Sequence, residues 1–168
     1  PWLDIAVAEL GVHEDSVQGA HTARIVEYHQ TTTLRATDDE TPWCSSFVNW
    51  VMRQSGRAGT NSALARSWLN WGTAVTDPSP GAVVVIKKTT PGTTRATGST
   101  TGFHVGFYIT SSQSYVRILG GNQSDAVTIA RIAKSRLLSA RWPATYPPRP
   151  QRLPTMKPGE FLATTNEI

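Results

Sequence analysis

Apolar residues recur at helical spacing through the first 71 positions and fall into alternating or unbroken runs after Pro80-Gly81. Residues 3–10 (Leu-Asp-Ile-Ala-Val-Ala-Glu-Leu) predict a short helix stopped by Gly11, and residues 22–30 a second. Cys44, Phe47, Val48 and Val51 share the i, i+3, i+4, i+7 face of a third helix. There Thr41 is the expected N-cap, with Pro42 at the first helical position and the end near Gln54. Asn61 or Ser62 can cap a fourth helix running through Trp71, with Leu64, Trp68 and Trp71 on one side and Gly72 ending it.

Beyond Gly81 the expected strands are Ala82–Lys87, Val105–Thr110, Tyr115–Leu119, Val127–Ile132 and Leu137–Arg141. Ser111-Ser112-Gln113-Ser114 reads as a hairpin turn, which implies antiparallel pairing. Helices first and strands later predict an α+β fold, with N-terminal helices packed on an antiparallel sheet of about five strands. Thr89–Gly102, rich in Thr, Gly and Ser, is a long loop expected at the rim of a site because it ends beside His104. The chain divides into a domain over 1–143 and a proline-rich extension over 144–168, expected to be extended or partly disordered.

Composition narrows the picture. A length of 168 residues suits one domain with a real core. No apolar run reaches the roughly 18 residues that span a membrane, so membrane insertion is not expected. A single cysteine rules out an internal disulfide framework and a cysteine-rich zinc site. The sequence opens at Pro1 with no visible signal peptide, which reads as a trimmed N-terminus. A net charge of +4 and a pI near 9.6 favour an acidic polymer as partner. The basic residues are scattered, without the clustering of a nucleic-acid surface, which leaves anionic lipid or an acidic cell wall ahead of nucleic acid.

The lone cysteine carries the candidate chemistry. At the start of a helix, unpaired N–H groups and the helix dipole favour a thiolate, although a lone helical cysteine is also ordinary core material. His104 opens a strand in Thr-Gly-Phe-His-Val-Gly-Phe-Tyr, and Asn122 follows the next strand in Leu-Gly-Gly-Asn-Gln. If those strands form a hairpin, His104 and Asn122 meet at one edge where the Cys44 helix can dock. A nucleophile, a base and an orienting amide are what acyl transfer through a thiol requires. His13, His21 and His29 tempt a metal reading. Eight residues of helix rise roughly 12 Å, however, too far for two ligands of one ion, and no metal or other cofactor is expected.

Thr41-Pro-Trp-Cys-Ser-Ser-Phe-Val-Asn-Trp50, Gly102-Phe-His-Val-Gly-Phe-Tyr108 and Leu119-Gly-Gly-Asn-Gln123 resemble the signature blocks of the CHAP and NlpC-type peptidoglycan hydrolases, a papain-like superfamily. Residues 63–72 and 137–143 are similar to blocks of its phage- and bacteria-borne branch. The resemblance implies Cys44 as nucleophile, His104 as general base then acid, and Asn122 as orienting residue. Two positions depart from the family pattern. Ala82 replaces an acid that often opens the first strand, and Gly120 replaces a glutamate that many members carry two residues before the asparagine. Asn122 is then the sole third member, with Gln123 its substitute if the register is off by one.

The expected activity is cleavage of a peptidoglycan amide, either muramoyl–L-alanine or within the stem or cross-bridge peptide, at the bacterial cell wall or periplasm. Glu40, Trp43, Gln123 and Trp68 are candidate substrate contacts, with Glu40 and Asp39 able to meet an amine; core tryptophans and solvated loop acids are the plainer reading. The expected partner is bacterial peptidoglycan, bound by a monomer. A holin, a phage tail or an immunity protein belongs to one biological setting or another. Alternative functions are a papain-like deamidase or protein peptidase, or a non-catalytic wall-binding or structural module.

Overall fold

The computed structural model describes residues 1–87, 102–147 and 165–166, the last pair by backbone alone. Three helices come first: α1 (Trp2–Ala8), α2 (Ala23–His29) and α3 (Cys44–Gln54), then a 3-10 segment at Ala65–Asn70. The strands are β1 (Thr73–Ala74), β2 (Val83–Lys87), β3 (Phe103–Ser111), β4 (Tyr115–Gly120), β5 (Thr128–Ala133) and β6 (Leu137–Trp142). These six pair antiparallel in the order β1-β6-β2-β3-β4-β5, and β7 (Thr165–Asn166) lies parallel to β5. The fold is α+β and papain-like in its layering, with two short strands more than the five expected.

Local sequence explains the sheet. The Val83-Val84-Val85-Ile86 run is buried throughout and occupies β2, flanked by β6 and β3, as suits a strand covered on both faces. The β3–β4 hairpin closes through Ser112 N–H to Tyr115 O (2.9 Å), so the serine-rich turn forms where its composition placed it. Gly106 lets the two strands approach. A Cβ built there would lie 2.5 Å from Ile118 Cγ2 and 2.8 Å from Leu119 O.

Helix α3 is the centre of the molecule, and every residue from Cys44 to Met52 is buried. Phe47 meets Tyr28 of α2 (ring centroids 5.4 Å) and Phe107 of β3 (6.2 Å). The polar residues of that stretch, Ser45, Ser46 and Asn49, each find a partner, as buried polar groups must. Ser45 Oγ donates to Ser62 O (2.6 Å), and Ser46 Oγ shares a 2.9 Å bond with His29 Nδ1. Asn49 Oδ1 accepts the N–H groups of Thr60 (2.8 Å) and Asn61 (2.9 Å). At the open end of the sheet, Trp2 packs edge-on against Trp142 (5.0 Å) and Tyr146 (5.3 Å) and donates to Gly81 O (2.7 Å). Packing against the core therefore runs through Tyr146.

Two expectations are corrected. The fourth helix does not run from Asn61 or Ser62 to Trp71, because Asn61 sits in the left-handed region (φ 56), Leu64 is extended, and Asn49 holds the Thr60 and Asn61 N–H groups in a loop. Only Ala65–Asn70 coils, as a 3-10 segment. Helix α3 begins at Cys44 with Trp43 as N-cap, not at Pro42 with Thr41. The Asp38 carboxylate accepts the Thr41 N–H (2.6 Å) and makes that stretch a turn. Of the long loop expected at Thr89–Gly102, all but Gly102 lies outside the described residues, as does most of the 144–168 extension.

Candidate active site

Cys44 is the first helical residue of α3 and keeps 3% of its surface exposed. The segment leading to it is anchored from below by buried Asp39. Its Oδ2 accepts the N–H groups of Asp15 (2.9 Å) and Thr22 (2.8 Å), and its Oδ1 accepts from His21 Nδ1 (3.0 Å). Burial would push the Asp39 carboxyl up, but these donors outweigh it and hold the group below the usual range. The same contact, led by its hydrogen bond, raises His21 above an ordinary imidazole. Cys44 stands in the first turn of α3, where helix geometry directs backbone N–H groups outward along the axis, an arrangement suited to an oxyanion.

The imidazole comes from the start of β3. His104 is wholly buried, and its Nε2–H donates to Gln123 Oε1 (3.0 Å). The direction of that bond follows from the glutamine, whose NH2 donates to Thr128 O (2.7 Å) and reaches Ile118 O (3.5 Å), leaving Oε1 as the acceptor for His104. The His104 tautomer with its proton on Nε2 has Nδ1 as the basic nitrogen.

The expected partner, Asn122, is one residue away. It sits at φ 55, and its buried Oδ1 has no hydrogen-bond partner among the described residues. The amide that meets His104 is therefore Gln123, a shift of one in register. Two glycines bring the pieces to one corner of the sheet. A Cβ at Gly120 would lie 3.2 Å from His104 Nε2, and one at Gly121 would lie 2.5 Å from the Trp43 ring and 2.7 Å from Phe47 Cβ. The imidazole and the start of α3 thus converge on adjacent residues of the same chain segment.

The expected substrate contacts divide by burial. Glu40 is exposed, whereas Trp43, Trp68 and Gln123 are fully buried, which for the two tryptophans is the core reading. Trp68 Nε1 donates to Ser45 Oγ (2.9 Å), next to the cysteine. Trp43 Nε1 donates to Glu14 Oε1 (2.8 Å). Loss of solvent pushes the Glu14 carboxyl up to about 7 despite that bond, with Asp125, Glu40 and Asp39 adding to the rise. Glu14 carried no periodic or motif signal, since its partner lies 29 positions away.

The upstream histidines have separate tasks. His13 Nδ1 donates to Glu14 O (2.8 Å), and His21 pairs with Asp39. His29 is buried beside Ser46, where loss of solvent holds its pKa below the ordinary value. Among the described residues no helix is long and apolar enough to cross a membrane.

N-terminal helices packed on an antiparallel sheet, with the lone cysteine opening the central helix, are compatible with the papain-like class. A family model described as the CHAP domain matches residues 36–122, just over half of the chain, and the chain belongs to that family. CHAP domains are typically hydrolases that act on peptidoglycan. No curated protein and no solved structure matches the chain. The matched span contains Cys44 and His104 and ends one residue before Gln123.

Proposed function

We propose that the chain hydrolyses an amide bond of peptidoglycan by a thiolate mechanism, with Cys44 as nucleophile, His104 as general base and then acid, and Gln123 as the orienting amide. The observation that carries this reading is the His104–Gln123 bond at 3.0 Å, anchored through the glutamine NH2 to Thr128 O. It favours the imidazole tautomer with Nδ1 basic, the one suited to take a thiol proton.

In this mechanism Nδ1 accepts the Cys44 proton and Sγ attacks the amide carbonyl. The oxyanion is met by first-turn N–H groups of α3. The imidazolium then protonates the leaving amine as the C–N bond breaks, which leaves a thioester on Cys44. Water, deprotonated by His104, attacks that thioester, releasing a carboxylic acid and restoring the thiol. The bond cut is muramoyl–L-alanine or one within the stem or cross-bridge peptide. The basic balance of the chain (+4) assists approach to an anionic wall.

Digestion of purified peptidoglycan followed by product masses tests this reading. Peptides freed from intact glycan identify an amidase, and shortened stems or opened cross-bridges identify an endopeptidase. Unchanged peptidoglycan, with release of ammonia from protein glutamines instead, would replace the proposal by a deamidase.

A further inference from the structure

One carboxyl beside the site has no part in the proposed chemistry. Glu14 accepts the indole N–H of Trp43, the residue before Cys44 (2.8 Å), and its own backbone N–H donates to Asp125 O (2.9 Å). The segment around it runs antiparallel to the turn that follows Gln123. Gly11 N–H donates to Val127 O (3.0 Å), Val127 N–H donates to Val12 O (2.7 Å), and His13 bridges Ala126. Gln123 N–H in turn donates to Ala126 O (2.9 Å), and Gln123 Oε1 accepts from His104. A path of hydrogen bonds therefore links the start of α3 to the imidazole, and Glu14 is its only side chain on the N-terminal segment.

We propose that Glu14 is a positioning residue: it latches Trp43, and with it the Cys44 end of α3, onto the turn that holds Gln123 and His104, and its charge tunes thiol reactivity. The inference rests on the reading of Cys44 as a thiolate nucleophile. Trp43 is fully buried, so no solvent replaces a lost acceptor for its N–H, and its ring is wedged against Gly121. The charged groups acting on Glu14 are Asp125 from the β4–β5 turn and Glu40 and Asp39 from the segment before α3; His21 is tied to Asp39, and the His13 ring to the Glu14 carbonyl. Burial and these carboxylates place its titration near neutrality, at about 7, so its charge changes where a thiol–imidazole pair operates.

The test is the rate of Cys44 alkylation by iodoacetamide across the pH range, which needs no wall substrate, on the native chain, Glu14→Ala and Glu14→Gln. Glu14→Ala should slow alkylation about tenfold at neutral pH with an unchanged far-UV circular dichroism spectrum. Glu14→Gln, which keeps an acceptor for Trp43, should return to within about twofold of native and lose the step near pH 7. A native rate and profile in Glu14→Ala would overturn the proposal, as would a Glu14→Gln that is as slow as Glu14→Ala. If Glu14→Ala does not fold, the step decides: its loss in Glu14→Gln supports the proposal and its persistence overturns it. A thiol inert at every pH in the native chain would instead overturn the thiolate reading itself, so the two failures are distinct.

Discussion

His104 and Gln123 are joined by a 3.0 Å hydrogen bond in which the amide, fixed by its own donation to Thr128 O, accepts the Nε2 proton. A neutral amide in this place orients the ring and selects its tautomer without adding a charge. Gln123→Ala should lower kcat about 10- to 100-fold, or about 1.4–2.7 kcal/mol in the barrier. Asn122→Ala, which removes a buried Oδ1 that makes no hydrogen bond among the described residues, should cost much less. Steady-state kinetics on soluble wall fragments separates the two; equal losses would return the orienting role to the pair.

The two glycines after β4 should fail differently when given a Cβ. At Gly121 the methyl would meet Trp43 and Phe47, both fully buried, so Gly121→Ala should destabilise the fold by about 1–3 kcal/mol in denaturant titration. At Gly120 it would meet the end of the Gln123 side chain and His104 Nε2. Gly120→Ala should therefore depress activity out of proportion to its loss of stability.

Asn49 holds the loop at Thr60–Ser62 to α3. Asn49→Ala leaves the Thr60 and Asn61 N–H groups without their acceptor, which should cost about 1–3 kcal/mol. The loop should also become the first site of limited proteolysis. Thermal melting together with mapping of the first cut checks both outcomes.

Stability should depend on pH with opposite signs at different groups. His29 is held below its ordinary 6.5 by burial, so the unfolded chain takes up the proton first, and stability declines as pH falls through 6.5. Asp38, held down first by its bond to Thr41, and Asp39 add a further loss as pH falls through the carboxylate range. Glu14 acts the other way. Its pKa rises from 4.5 to about 7 on folding, so between those values its contribution falls as pH rises. Denaturant titration across this range should show the acid-side loss reduced in His29→Gln and the Glu14 slope abolished in Glu14→Gln.

The strands were readable because their signals are local. The unbroken β2 run and the serine turn at 111–114 need no distant partner to be recognised. The helix expected over 61–71 is shorter because Asn61 takes a left-handed backbone and Leu64 is extended, while a side chain 11 and 12 positions upstream holds the Thr60 and Asn61 N–H groups in a loop. Cys44 and His104 lie at the element starts where the sequence places them. The choice between Asn122 and Gln123 was not legible there. Both are amides in one turn, and only the left-handed backbone at Asn122 decides which of them meets the imidazole. Trp43 and Trp68 are buried, in line with the core reading, although a tryptophan's composition signal is the same in a core as in a cleft.

Cys44 is the proposed nucleophile of an amide hydrolysis in the wall. The most direct measurement of that role is the release of new amino groups from purified peptidoglycan by the native chain and by Cys44→Ala, both verified as folded. Steady release by the native chain and none above background from Cys44→Ala are expected. Equal release by both, or none by either, would contradict it.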